Sequence, residues 1–145
     1  MPWNVEYTDA FGNWWSTLNE SQQDDVTAIV TLLERRGPRL PFPYSFGING
    51  SRHTHMRELR VQSGGSPLRV FYAFDPRRTA ILLVAGDKTG ERRFYARMIP
   101  IADRLYDEYL DELRGEGLIE RGGITRPSIG TETVGSRWSL VTIVS

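Results

Sequence analysis

With 145 residues, 39% of them apolar and 25% charged, the chain is long enough to enclose one hydrophobic core and has the composition of an ordinary soluble globule. It has no cysteine, which excludes a disulfide framework, a thiolate metal site and a thiol nucleophile. Eighteen Lys and Arg balance eighteen Asp and Glu, and no stretch has the apolar length of a membrane helix or the basic-then-apolar pattern of a secretory signal, so a cytoplasmic protein with no membrane partner is expected.

The zero net charge hides segregation along the chain. Residues 1–34 carry six acids and no Lys or Arg, residues 52–97 carry ten Lys or Arg against four acids, and residues 98–120 carry seven acids against Arg104 and Arg114. A basic island of net +6 is thus flanked by acidic segments, which suits a polyanionic partner such as RNA. Blocks of like charge also occur simply as solvated faces.

In chain order, Trp3-Asn4-Val5-Glu6-Tyr7 alternates apolar and polar residues and predicts a short strand. Phe11, Trp14, Trp15 and Leu18 recur at helical spacing. A second helix is predicted through Val26, Ile29, Val30, Leu32 and Leu33, with Ser21 and Asp24 as a weak capping box and an end at Gly37-Pro38. Three prolines and two glycines then make residues 38–51 a connecting loop. Three strand-like runs follow, Arg57 to Gln62, Leu68 to Phe74 and Thr79 to Ala85, separated by Gly64-Gly65 and by Asp75-Pro76-Arg77-Arg78, which predicts a β-meander. Phe94, Met98, Ile101, Leu105, Tyr109 and Leu113 then mark a long amphipathic helix, kinked or restarted at Pro100 and ending near Gly115 or Gly117. The expected class is α+β: an antiparallel sheet of the N-terminal strand and the meander, two N-terminal helices on one face, and a C-terminal helix. The domain is placed at residues 1–117. Residues 118–145, rich in Ser, Thr and Gly with strand-like scraps at 137–140 and 141–144, form a tail that reads equally as an extension, an edge strand or an altered gene end.

A two-residue Gly64-Gly65 loop sets Ser63 against Ser66 and Arg60 against Arg69. Leu59, Val61, Leu68, Val70, Tyr72 and Phe74 then share the core face. Two arginines opposed across a strand pair repel unless an anion lies between them, and phosphate is the obvious anion. A second turn with Asp75 opposite Arg78 sets Arg69 across from Val84, on a face with Leu82, Gly86 and Lys88. A three-residue turn in either hairpin would carry one arginine to the core side. Arg60, Arg69 and Lys88 are therefore the expected phosphate-holding and charge-stabilising groups, with Arg57, Arg92 and Arg93 as further RNA contacts. The candidates for proton transfer are His53, His55 and Tyr95. His53-Thr54-His55 has no nearby partners for a zinc site, and an RNA that supplies its own 2′-hydroxyl as nucleophile requires neither metal nor cofactor.

The order strand, two helices, meander, helix resembles the RelE/ParE superfamily. The local sequence is similar to its HigB or phage Gp49-like branch through Met56-Arg57-Glu58-Leu59-Arg60-Val61, Leu68-Arg69-Val70-Phe71-Tyr72 with Phe74-Asp75, and Ile81-Leu82-Leu83 leading to Gly86-Asp87-Lys88-Thr89. The likeness covers roughly residues 3–114. It implies a type II toxin that cleaves mRNA, usually on the translating ribosome, and is silenced by a cognate antitoxin, often with a helix-turn-helix domain. It also maps the family's strand arginines to Arg60 and Arg69 and its basic residue after the last strand to Lys88. A longer lysine-rich stretch common after that strand is here a single Lys88 followed by Gly90, Arg92 and Arg93. Two other readings share the scaffold: a ParE-like poison of DNA gyrase, and a non-catalytic, degenerate or phage-derived interaction protein.

Overall fold

A computed structural model describes residues 2–119 and 136–137. The elements are β1 (Asn4–Tyr7), α1 (Asp9–Trp15), α2 (Glu20–Arg36), a short 3-10 turn (Gly37–Arg39), β2 (Ser45–Gly47), β3 (Arg57–Ser63), β4 (Ser66–Phe74), β5 (Thr79–Asp87), α3 (Phe94–Gly115) and β6 (Ser136–Arg137). One mixed sheet runs in the order β2-β3-β4-β5-β1-β6. The expected α+β architecture is present, with α1 and α2 packed on one face and α3 on the other. The N-terminal strand joins parallel to β5, so the sheet is not wholly antiparallel.

The two N-terminal helices begin where side chains satisfy the free amides of a first turn. Thr8 Oγ1 accepts from Phe11 N (3.1 Å) to start α1. At α2 the capping box lies two residues before the expected one. Asn19 Oδ1 accepts from Gln22 N (2.8 Å), and Gln22 Oε1 accepts from Asn19 N (3.0 Å), a reciprocal pair that Ser21 and Asp24 do not form. The α3 helix runs through Pro100 without the new start that was one of the two expectations, since both Pro100 and Ala96, whose carbonyl loses its partner, face solvent. It stops where Gly117 takes φ 74° and Leu118 N donates to Leu113 O (2.9 Å).

The stretch expected to be only a loop contains β2, paired antiparallel to β3. Three residues are too few to show a period. The first hairpin has the expected register, with Ser63 opposite Ser66, Arg60 opposite Arg69, and Gly64 and Gly65 both at positive φ in the two-residue loop.

The second hairpin differs. Its turn has three residues, Pro76 to Arg78, with Arg78 at φ 67°, and Asp75 is held opposite Thr79 rather than Arg78, through Asp75 N to Thr79 O (2.8 Å). A β-bulge between Phe71 and Tyr72 then adds a second offset, so Arg69 lies across from Gly86 instead of Val84. Leu83 and Val84 consequently both face α3, while Leu82 and Ala85 both face α1 and α2. Leu82 is thereby on the core face opposite to the one expected. Two offsets restore parity, and Arg69, Gly86 and Lys88 stay on one side.

Three buried tyrosine hydroxyls tie the layers together. Tyr72 shares a hydrogen bond with Ser45 Oγ (2.6 Å), Tyr106 donates to Phe74 O (2.8 Å), and Tyr109 donates to the enclosed Asp75 carboxylate (2.7 Å), which Arg77 also engages (2.9 Å). Burial, first of all, pushes each of these phenols above its ordinary value. The folded state therefore holds these protons more tightly than the unfolded chain. Their contribution is complete below roughly pH 10 and is lost as pH rises through the higher folded values. Thermal denaturation should show Tm falling by roughly 5 °C or more between pH 8 and pH 10.5; an unchanged Tm would show that these hydroxyls are not closed off from solvent.

Candidate active site

Period two puts Glu58 and Arg60 on the same side of β3, and the hairpin register adds Arg69. The helix α3 covers part of that side, so the surface expected to be open is a cleft of about 330 Å³. Its lining includes Glu58, Arg60, Arg69, Lys88 and Tyr95, with Gly47 to Asn49 after β2 as a wall. Tyr95 enters from the first turn of α3. That helix can approach because residue 86 is glycine: a Cβ there would lie 3.0 Å from the Phe94 ring and 3.6 Å from Met98.

The anion between the opposed arginines belongs to the protein itself. The Glu58 residue, 2% exposed, accepts from Arg60 Nε and Nη2 (3.2 and 3.1 Å) on Oε2 and from the Tyr95 hydroxyl (2.8 Å) on Oε1, and Arg69 Nε lies 3.6 Å from Oε1. Arg69 Nε also donates to the Tyr95 oxygen (3.3 Å), and Lys88 Nζ stands 5.9 Å from the centre of the Tyr95 ring. Burial and then the hydrogen bond to Glu58 push Tyr95 above its ordinary value, while Arg69 pulls the other way. At neutral pH Tyr95 is a protonated donor facing a carboxylate.

Four of the expected site residues, Arg60, Arg69, Lys88 and Tyr95, meet in this cleft. The others do not line it. His53 Nε2 is bonded to Asp107 Oδ1 (2.8 Å), with its ring edge-on to Tyr106, so it fastens the loop before β3 to α3. The same loop is held by Ser51 and Arg52 on Asp103 and Asp107, so part of the acidic segment neutralises part of the basic island. His55 is exposed and, with Arg57, lines a separate hollow of about 520 Å³ on the other side of the Gly47 to Asn49 wall. Odd-numbered Arg57 points away from Arg60 and donates to Ser45 Oγ (2.8 Å). Arg92 and Arg93 are exposed just before α3.

Glu58 is the site residue that sequence reasoning passed over. Its signal was available: it lies two residues before Arg60 and therefore on the same face. A second cationic group also went unnoticed, because Arg35, Arg36 and Arg39 fall outside the basic island in sequence. They share a hollow with Arg78, whose guanidinium stands 4.5 Å from the Trp3 ring centre. Among the described residues no group of three or more His, Asp or Glu gathers in a way that could hold a metal ion.

The family model described as Phage derived protein Gp49-like (DUF891) matches residues 13–107. The candidate toxin HigB3 of Mycobacterium tuberculosis is 41% identical over 105 residues, covering 72% of this chain and 90% of HigB3. The chain belongs to the Gp49-like family of HigB toxins. The candidate toxin HigB2 of the same organism is 40% identical over 99 residues, 67% of this chain but only 49% of HigB2. Among solved structures, the archaeal RelE–RelB complex from Pyrococcus horikoshii aligns with a TM-score of 0.47 and 14% identity, over 62% of this chain and 99% of that one. A RelE mutant from E. coli in the free state aligns with a TM-score of 0.47 and 10% identity, over 78% of this chain and 99% of that one. As a HigB-like protein the chain is the toxin of a type II toxin–antitoxin system. No helix among its described residues is long and apolar enough to cross a membrane.

Proposed function

We propose that this HigB-like toxin is an mRNA endoribonuclease that uses the RNA 2′-hydroxyl as nucleophile and needs no metal. It acts in the cytoplasm, on mRNA at the ribosome, and its antitoxin is of the helix-turn-helix type. One observation carries the catalytic part: a buried carboxylate and a protonated phenol, 2.8 Å apart, lie among three cations in one cleft. In this reading Arg60, Arg69 and Lys88 hold the non-bridging oxygens of the scissile phosphate and stabilise the charge that builds there. Arg60 is the natural first contact, since its side chain is 37% exposed against 11% for Arg69. When Arg60 turns to the phosphate, Glu58 is released to accept the 2′-hydroxyl proton.

The 2′-oxygen then bonds to phosphorus and the bond to the 5′-oxygen breaks. That oxygen takes the proton of Tyr95, which leaves a 2′,3′-cyclic phosphate and a 5′-hydroxyl. Tyr95 recovers a proton from Glu58 through the hydrogen bond that already joins them. Both proton-transfer roles thus fall to groups inside the cleft rather than to His53 or His55. Residues 1–117 are the catalytic unit in this reading.

The test is purified toxin with end-labelled free RNA in EDTA, without ribosomes and at toxin concentrations high enough for the strand to bind unaided. Cleavage should persist, yield cyclic-phosphate ends, and fail when the nucleotide 5′ of the cut lacks its 2′-hydroxyl. Cleavage of the deoxy-substituted RNA, or loss of activity in EDTA that a divalent cation restores, would overturn the mechanism. A gyrase poison has no use for the Glu58–Tyr95 pair, and a DNA-damage response with intact mRNA on induction would favour that reading.

A further inference from the structure

The cleft has an aromatic neighbour to which the mechanism gives no role. Among the described residues three large hydrophobic side chains stand exposed, and two of them, Phe42 at 74% and Tyr44 at 37%, lie in the few residues leading into β2. Exposing a phenylalanine to this degree forgoes most of what its burial would contribute. The Phe42 ring is not isolated: it packs edge-on to Phe46, with ring centres 5.2 Å apart. Phe46 in turn carries the Arg60 guanidinium 3.3 Å from its ring centre. Arg60 is therefore shared, bonded to Glu58 in the cleft and laid on Phe46 at its rim. The segment is stiff as well. Pro41 and Pro43 restrict its backbone, and Tyr44 N and Ser45 N both donate to Pro41 O (3.0 and 3.2 Å).

We propose that Phe42 and Phe46 form a shelf on which a base of single-stranded RNA stacks, next to the phosphate held by Arg60, Arg69 and Lys88. This rests on the endoribonuclease reading of the cleft. Aromatic rings alternating with cations along a groove are what a single strand requires, because each nucleotide offers a flat ring and a negative charge in turn. An apolar peptide would fit the rings but would bring no charge to match the exposed part of Arg60 or the Lys88 and Arg69 cations beside it. The shelf is indifferent to base identity, since every base has a face to stack, so it would act in affinity and in placing the strand.

The experiment compares two hexanucleotides by fluorescence anisotropy, one fully 2′-O-methylated and so not cleavable, the other the same backbone without bases. Phe42→Ala should weaken binding of the first by about tenfold and leave the second unchanged, and Phe42→Trp should bind the first as tightly as the native toxin. The high exposure of Phe42 makes its replacement harmless to folding. Equal affinity of Phe42→Ala and native toxin for the base-bearing strand would overturn the shelf, and so would an equal loss for both strands. Loss of antitoxin binding with RNA affinity intact would overturn it in favour of a protein contact. Arg69→Ala separates the shelf from the reading beneath it. That variant should lose affinity for both strands, and if it binds both as the native toxin does, the phosphate cleft fails and the shelf with it.

Discussion

Replacing Arg60 and Arg69 together by alanine should reduce RNA cleavage by about a thousandfold or more, the scale of removing preorganised charge from a phosphoryl or acyl transition state. The double variant will also be less stable. Glu58 is nearly enclosed, and without either guanidinium its charge has only the Tyr95 hydroxyl to face; an uncompensated buried carboxylate costs about 3 kcal/mol. Loss of activity could then be blamed on the fold. Adding Glu58→Gln removes that charge, so the triple variant should regain much of the lost stability in a urea titration while binding and cleaving RNA far more weakly than Glu58→Gln alone. A triple variant that is stable and cleaves as fast as Glu58→Gln alone would show that the arginines serve the fold and not the chemistry.

Glu58→Gln alone should split binding from catalysis. In the free protein Glu58 occupies the place between Arg60 and Arg69 that a phosphate would take, so the two anions compete for the same donors. A neutral amide of the same shape withdraws the competitor. Affinity for a non-cleavable RNA should rise several-fold, while kcat falls by about a hundredfold to ten-thousandfold with the loss of the proton acceptor. A purely structural carboxylate would give a different pattern: kcat retained, or affinity and rate falling together. Single-turnover cleavage beside anisotropy on the same variant decides between them, and an unchanged kcat would remove Glu58 from the reaction.

The two hairpins show how far the fold was legible. In the first, Gly64-Gly65 and the alternation around it fix the turn, and the pairing of Arg60 with Arg69 follows from counting. In the second, the same counting meets a three-residue turn and a bulge, neither of which leaves a mark on the apolar pattern because β5 is buried on both faces. A strand without alternation cannot report a slip. β2 escaped for a different reason: the prolines and glycines around it are those of a turn, and only the tertiary partner β3 makes Ser45 to Gly47 a strand.

The site was legible where it depended on strand parity and illegible where it depended on contacts distant in sequence. Arg60, Arg69 and Lys88 share a face by period two, and Tyr95 follows from its place at the start of α3. Glu58 obeys the same parity, yet an acid within a basic strand reads as a solvated counter-charge until its burial is known. The histidines were nominated by their ordinary pKa and their place before β3. What fixes His53 is Asp107, 54 residues away, and the chain near His53 carries no sign of it.

The bulge in β5 has an effect that reaches beyond the strand. It brings residue 86 under the start of α3, where the lack of a side chain lets Phe94 settle against the sheet and brings the next residue, Tyr95, within 3.3 Å of Arg69 and 2.8 Å of Glu58. One additional peptide unit thus works as a shim under the helix, setting the gap between phenol and carboxylate. The reactive spacing is a dimension of the main chain, and a change at position 86 would mistune it without touching any group that meets the RNA.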